Sequence, residues 1–458
     1  MNKKIKIVYC LPSLYIPGGM ERVLTIKANY FAEKLGYDIY IILTDGKGLE
    51  PFYALSPKVH LIHLDINFNE LWNKPLYKKL FIYACKQRLY KKRLTKCLFE
   101  IRPDITVSML RREINFINSI HDGSVKIGEI HVNKSNFRDL AEAQNTGFIK
   151  SRLSRLWMKQ LDRQVKQLSK FIILTEEDRK NFSSYLDNTT VIYNPLPFYP
   201  EQTSDCTAKE VIAVGRYAYQ KGFDLLIETW RIVAQKHPDW NLRIYGGGDR
   251  SDFLALKDKY HLDTLYLEEQ TPDIIRNYCR SSIFVLSSRY EGFGMVITEA
   301  MSCGVPPVSF TCPCGPRDII DDGKNGLLVE NGNIEMLAEK ICYLIENDEI
   351  RRKMGQQPGN GGNPRPALQY PGHFRARVRA RGPRFREARP RRLRSGRQRR
   401  HRGWRKLWSG LQPRTRGAGP APSRHQSRHR PVDGPHPPRQ SREFRHSAPS
   451  LREQGRLC

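Results

Sequence analysis

The chain has 458 residues, enough for two ordinary α/β domains with full cores. Its net charge of +30 would suit a nucleic-acid binder, but 23 of those charges lie in residues 358–458, where 27 Lys and Arg face four Asp and Glu. The rest is only mildly basic. No apolar run is long enough to span a bilayer, and Met1–Cys10 is too short and too soon polar for a signal peptide. The cysteines are scattered, with Cys312-Pro313-Cys314 the one close pair, which excludes a disulfide framework or a zinc site and points to a reducing cytoplasm.

In chain order, short apolar strands are expected at residues 5–10, 38–44, 59–64, 104–108, 126–130, 171–174 and 190–193, with a helix at 22–35. Strands alternating with helices imply a parallel, doubly wound sheet. Residues 72–99 form a separate helical region. It mixes Leu76, Leu80, Phe81, Leu89 and Tyr90 with Lys78, Lys79, Lys86, Arg88, Lys91, Lys92 and Arg93. Such a helix can lie on an anionic membrane surface or simply present a solvated face. Asn194-Pro195-Leu196-Pro197-Phe198-Tyr199-Pro200 then interrupts the pattern, because three closely spaced prolines continue neither helix nor central strand.

The pattern restarts with strands at 210–214, 242–245, 264–267, 283–286 and 307–310, and helices at 223–235, 274–279, 296–303 and 334–346. The expected domains are therefore 1–195 and 196–357, facing a cleft. Residues 358–458 are Arg-, Pro- and Gly-rich with no Ile. They are expected to be disordered, either as a nucleic-acid- or membrane-binding arm or as the product of a shifted reading frame.

Four segments carry candidate chemistry. The first strand runs into Gly18-Gly19-Met20-Glu21-Arg22, where paired glycines allow close backbone approach at a helix start. Val214-Gly215-Arg216 and Lys221-Gly222 place two cations between a strand and a helix, which suits a diphosphate. Gly246-Gly247-Gly248 ends a strand and permits contact with a base or ribose. Glu291-Gly292-Phe293-Gly294-Met295-Val296-Ile297-Thr298-Glu299 sets two carboxylates around a glycine loop and helix start. The competing reading of each is an ordinary turn with incidental charges.

The order of these motifs resembles the retaining, nucleotide-sugar-dependent glycosyltransferases of family 4, which have the two-domain GT-B fold. The resemblance covers about Lys4 to Gly355. It rests on Gly18 to Arg22, on Gly215-Arg216 with Lys221-Gly222, and on Glu291 to Glu299 followed by Ala300-Met301-Ser302-Cys303-Gly304-Val305-Pro306. The Gly323 to Val329 turn completes it. The chain is most similar in character to bacterial enzymes of capsule, exopolysaccharide or lipopolysaccharide synthesis.

What the resemblance implies can be set out residue by residue. Arg216 and Lys221 grip the donor diphosphate, with Gly215 beside them. Glu291 lies by the donor hexose and Glu299 binds ribose hydroxyls. Gly292, Phe293, Gly294, Met295 and Val296 offer backbone amides to the donor, Gly246 approaches the nucleoside, and Gly18 and Gly19 approach the diphosphate from the first domain. His131 matches a histidine near the transferred sugar, though a lone histidine at a strand end is often structural. The expected reaction is retaining hexosyl transfer to a hydroxyl of a glycan or lipid-linked acceptor. It takes place in the cytoplasm or peripherally at the inner face of the plasma membrane, with no cofactor and no metal, since Asp-x-Asp is absent from the sequence. The alternatives are a nucleic-acid-binding protein acting through the tail, or a catalytically impaired nucleotide-sugar binder. In the family a helix after Arg351–Gly355 crosses back onto the first domain, and Pro358-Gly359-Asn360-Gly361-Gly362 would break it. Glu268-Glu269 stands where the family has an uncharged loop, and nothing in the sequence explains it.

Overall fold

Two parallel sheets organise the protein in the computed structural model, which describes residues 4–71, 75–134, 158–183 and 186–357. The expectations for Trp72, for residues 358–458 and for a crossing helix lie outside these. The first sheet has seven strands: β1 (Lys6–Leu11), β2 (Asp38–Leu43), β3 (Val59–His63), β4 (Ile105–Ser108), β5 (Val125–Glu129), β6 (Lys170–Ile173) and β7 (Thr189–Val191), in the order β3-β2-β1-β4-β5-β6-β7. The second has six: β8 (Glu210–Val214), β9 (Asn241–Gly246), β10 (Leu265–Glu269), β11 (Ile283–Leu286), β12 (Pro307–Phe310) and β13 (Leu327–Val329), in the order β10-β9-β8-β11-β12-β13.

Every strand pair among the described residues is parallel, so each crossover must pass over a sheet face. The central strands are buried on both faces, which is why Ile7 to Leu11 and Ile283 to Leu286 read as unbroken apolar runs. In the first sheet the strand order reverses between β1 and β4, and in the second between β8 and β11. A doubly wound sheet opens a crevice at that switch, beyond the carboxyl ends of the strands. The loops leaving β1, β8 and β11 are the ones that carry the sequence motifs.

The helices are α1 (Gly19–Glu33), α2 (Leu76–Ile101), α3 (Glu176–Ser183), α4 (Phe223–Lys236), α5 (Ser251–Lys259), α6 (Ile274–Cys279), α7 (Met295–Ser302), α8 (Pro316–Ile319), α9 (Ile334–Glu346) and α10 (Asp348–Gly355). In α9, Leu337, Ala338, Ile341, Leu344 and Ile345 recur at helical spacing and form the buried face. Asn333 caps it, its side chain accepting from the Met336 amide at 3.0 Å. Buried Arg351 of α10 then fastens the end of α9, donating to the carbonyls of Ile345 at 3.0 Å and Cys206 at 3.1 Å.

Structure also accounts for the unexplained acidic pair. Glu268 and Glu269 lie on β10, an edge strand. They pair with Arg243 at 2.6 Å and Arg250 at 3.0 Å, so they are charges that mark and blunt a sheet edge.

Candidate active site

The second domain supplies the cations. A tight turn, Tyr219–Lys221, follows β8 and ends at Gly222, whose φ of 61° is left-handed. A Cβ there would lie 2.1 Å from the Ser287 carbonyl oxygen, so only glycine lets the turn press against the end of β11. That contact brings Lys221 Nζ to 2.7 Å from Glu291 Oε1. Ser288 Oγ donates to the same oxygen at 2.7 Å. The Lys221 stem fills the space above Gly215, where a Cβ would meet it at 3.0 Å. Arg216 is exposed and makes no hydrogen bond among the described residues.

The loop after β11 carries both glutamates. Gly294, with φ 85°, precedes the first turn of α7, and the Met295 and Val296 amides in that turn have no acceptor within the helix. The side chain of Phe293 is buried against Tyr193, with ring centroids 5.9 Å apart, so Phe293 can offer a ligand only its backbone. Glu299 is almost wholly buried. Its Oε1 accepts from Arg22 Nη1 at 2.8 Å and its Oε2 from the Tyr278 hydroxyl at 3.3 Å. Burial pushes the Glu299 carboxyl above its ordinary value, and the Arg22 charge and the Tyr278 hydroxyl oppose that rise. Gly246 is required by packing: a Cβ there would lie 1.8 Å from the Gly215 carbonyl oxygen, where the ends of β9 and β8 meet.

The first domain closes on these residues. Gly18 precedes α1 in an extended conformation, and the Glu21 carboxylate occupies the space where its Cβ would be. Nothing lies within 4 Å of a Cβ built on Gly19, which leaves an open approach to the backbone. Burial raises the Glu21 carboxyl, while the charges of Arg111, His131 and Arg216 lower it. That links a loop of each domain to one carboxylate. His131 follows β5, with Nε2 3.1 Å from Glu129 Oε1. Its carbonyl oxygen is so near Gly292 that a Cβ there would stand 2.4 Å away. Asn133 Nδ2 donates to the Glu291 carbonyl at 3.0 Å.

Gly18, Gly19, His131, Gly215, Arg216, Lys221, Glu291, Gly292, Gly294 and Glu299 are thus drawn together from four loops, while Gly246 and the Phe293 side chain serve packing. The sequence reading missed Arg22, Lys27, Arg111, Glu129, Asn133 and Tyr278. Glu129 was within reach of it: it ends β5 two residues before His131, a spacing that sets extended-chain side chains on one side. The others meet their partners only through the tertiary fold.

Residues 200–358 match the family model described as Glycosyl transferases group 1. An uncharacterized glycosyltransferase of Haemophilus influenzae is 29% identical over 359 residues, which cover 77% of this chain and 94% of that protein. The poly(ribitol-phosphate) alpha-N-acetylglucosaminyltransferase of Staphylococcus aureus is 32% identical over 245 residues, 52% of this chain and 48% of that enzyme, so the match spans about half of it. Among solved structures, a Staphylococcus aureus TarM mutant in complex with fondaparinux, alpha-GlcNAc-glycerol and UDP superposes with a TM-score of 0.59 at 20% identity, covering 77% of this chain and 94% of that one. At that identity the likeness shows the fold, which is GT-B: two parallel-sheet α/β domains.

Proposed function

We propose that this glycosyltransferase moves a hexose from a nucleoside diphosphate sugar to a hydroxyl of a lipid-linked glycan, with the anomeric configuration retained, in the synthesis of a cell-surface polysaccharide. The carrying observation is the facing of two switch-point crevices, with Lys221 and Glu291 paired at one and Arg22 reaching Glu299 across both. Arg216 and Lys221 are the fixed positive charge for a leaving diphosphate. Glu299 holds the ribose hydroxyls, exchanging Arg22 for them. Glu291 and His131 lie beside the hexose. The α7 amides and the open side of Gly19 face phosphate oxygens.

Retention follows from a front-face route, in which the leaving phosphate oxygen takes the acceptor proton. In retaining hydrolysis, by contrast, one carboxylate is a free nucleophile. Here both glutamates are engaged by cations, which favours binding roles for them. UDP in the TarM complex and the polymer acceptor named for the Staphylococcus aureus relative support a nucleotide-sugar donor and a glycan acceptor.

No helix among the described residues is long and apolar enough to cross a membrane. Exposed Phe81, Leu89 and Phe99 share α2 with exposed Arg88, Lys91, Lys92 and Lys96. This face supports docking at the anionic inner surface of the plasma membrane, from the cytoplasm, where a lipid-linked acceptor would be met. The test is incubation with a panel of uridine, guanosine and adenosine diphosphate sugars and membrane extracts. Release of nucleoside diphosphate with sugar transfer supports an active enzyme. Binding without release marks an impaired binder, and absence of binding overturns the proposal.

A further inference from the structure

A buried ionic cluster lies behind His131. Lys27 of α1 and Glu129 of β5 are both almost fully buried, and Lys27 Nζ donates to both carboxylate oxygens, at 2.6 Å to Oε2. The Lys27 ammonium also lies 5.8 Å from the centre of the Tyr9 ring. Glu129 Oε1 is the atom that meets His131 Nε2 at 3.1 Å. The charged groups around the imidazole are Glu129 of β5, which bonds it, Lys27 of α1, which bonds Glu129, and Glu21 of α1, whose carboxyl feels the ring.

The chemistry restricts what this arrangement can do. An ionised carboxylate only accepts, so both Lys27 and His131 must donate to it. In the neutral ring the proton is then on Nε2, and Nδ1 is left with a lone pair. The Lys27 charge offsets that of Glu129, so the pair orients the ring without adding net charge beside it. A buried ion pair is a poor source of stability, since an apolar pair of similar volume does as well or better. Its presence directly behind a cleft histidine therefore calls for a role other than packing.

We propose that Lys27 and Glu129 are positioning residues: they hold His131 in its Nε2-protonated tautomer and so present Nδ1 as an acceptor to a hydroxyl of the transferred sugar. This rests on the sugar-transfer reading for the identity of the hydroxyl but not for the tautomer. The carboxyl of Glu129 stays ionised throughout the working range: burial raises its pKa, but the Lys27 charge and the His131 hydrogen bond outweigh this and hold it at about 2.

The test uses the full chain labelled with nitrogen-15 histidine. The His131 imidazole signals are identified by their loss in His131→Gln, and the tautomer is read from long-range proton–nitrogen correlations above the histidine titration range. The wild type should show the Nε2-protonated form. Lys27→Met/Glu129→Leu removes both charges and the acceptor together, so no charge is stranded, and His131 should become a mixture of tautomers with sugar transfer falling about 100-fold. Lys27→Met/Glu129→Gln keeps a carbonyl acceptor and should restore the tautomer and most of the activity. Thermal unfolding confirms that each variant folds. The proposal is overturned by an Nδ1-protonated wild type, or by a Met/Leu variant that keeps either the wild-type tautomer or wild-type transfer. If no nucleotide sugar is a substrate even for the wild type, the tautomer still decides whether the pair positions His131, and the functional reading fails separately.

Discussion

Arg22 of α1 and Glu299 of α7 are joined by a 2.8 Å ion pair between residues 277 positions apart, one in each domain. In the proposed donor site Glu299 meets the ribose, whose hydroxyls would replace the Arg22 contact. Arg22→Ala leaves a buried carboxylate without its countercharge. The variant should be less stable by about 2 kcal/mol, measured by denaturant unfolding, and its donor KM should change more than its kcat. A variant of wild-type stability would show that the pair does not couple the domains.

Arg216 has a different profile. It is exposed and unbonded among the described residues, so Arg216→Ala should unfold at the wild-type temperature. Its transfer rate should nevertheless fall about 100-fold, the usual effect of losing one group that stabilises a developing anion. Equal losses of stability and activity would assign it a structural role.

Gly292 tests the meeting of the domains. A Cβ at this position would stand 2.4 Å from the His131 carbonyl oxygen, and backbone on both sides leaves no flexible side chain to yield. Gly292→Ala should abolish most transfer while leaving the circular dichroism spectrum unchanged. Small-angle scattering should show a more open molecule.

Glu129 governs part of the acid stability. Its folded pKa is about 2, below the ordinary 4.5. A depressed carboxyl contributes stability that is present above its unfolded value and lost as pH falls through the folded one. Between pH 4.5 and 2 the wild type should therefore lose on the order of 2 kcal/mol that Lys27→Met/Glu129→Gln does not lose. Denaturant titrations across that range read the difference directly.

The exposed face of α2 predicts binding to vesicles containing anionic lipid and little binding to neutral ones. Each Lys or Arg near such a surface contributes about 1 kcal/mol. Arg88→Glu/Lys92→Glu should therefore weaken cosedimentation at least tenfold, and salt should weaken it too. Equal binding to neutral vesicles would refute the electrostatic part of the reading.

Much of this fold was legible because buried parallel strands leave continuous apolar runs. The helices at Ile274–Cys279 and Ile334–Glu346 fall where periodicity sets them. Helix α1 begins at Gly19, three residues before the expected start, because Gly19 is its first residue and Gly18 its extended N-cap. Strand β13 lies within the expected Gly323–Val329 turn, because three residues carry no periodicity. Helix α5 buries none of its residues, so it had no apolar stripe to find. The same contrast holds at the site. Lys221, Glu291 and the glycine loops announced themselves as strand-end motifs, since a switch-point crevice must be built from such loops. The Arg22–Glu299 and Lys27–Glu129 pairs join residues 277 and 102 positions apart, and no local pattern records a partner at that distance.

The central claim is that these facing loops bind a nucleoside diphosphate sugar through fixed cations. Calorimetric titration of the full chain with uridine, guanosine and adenosine diphosphate sugars tests it most directly. The account predicts saturable binding of at least one of them, weakened at least tenfold in Arg216→Ala. It is contradicted if none binds, or if Arg216→Ala binds the same donor as tightly as the wild type.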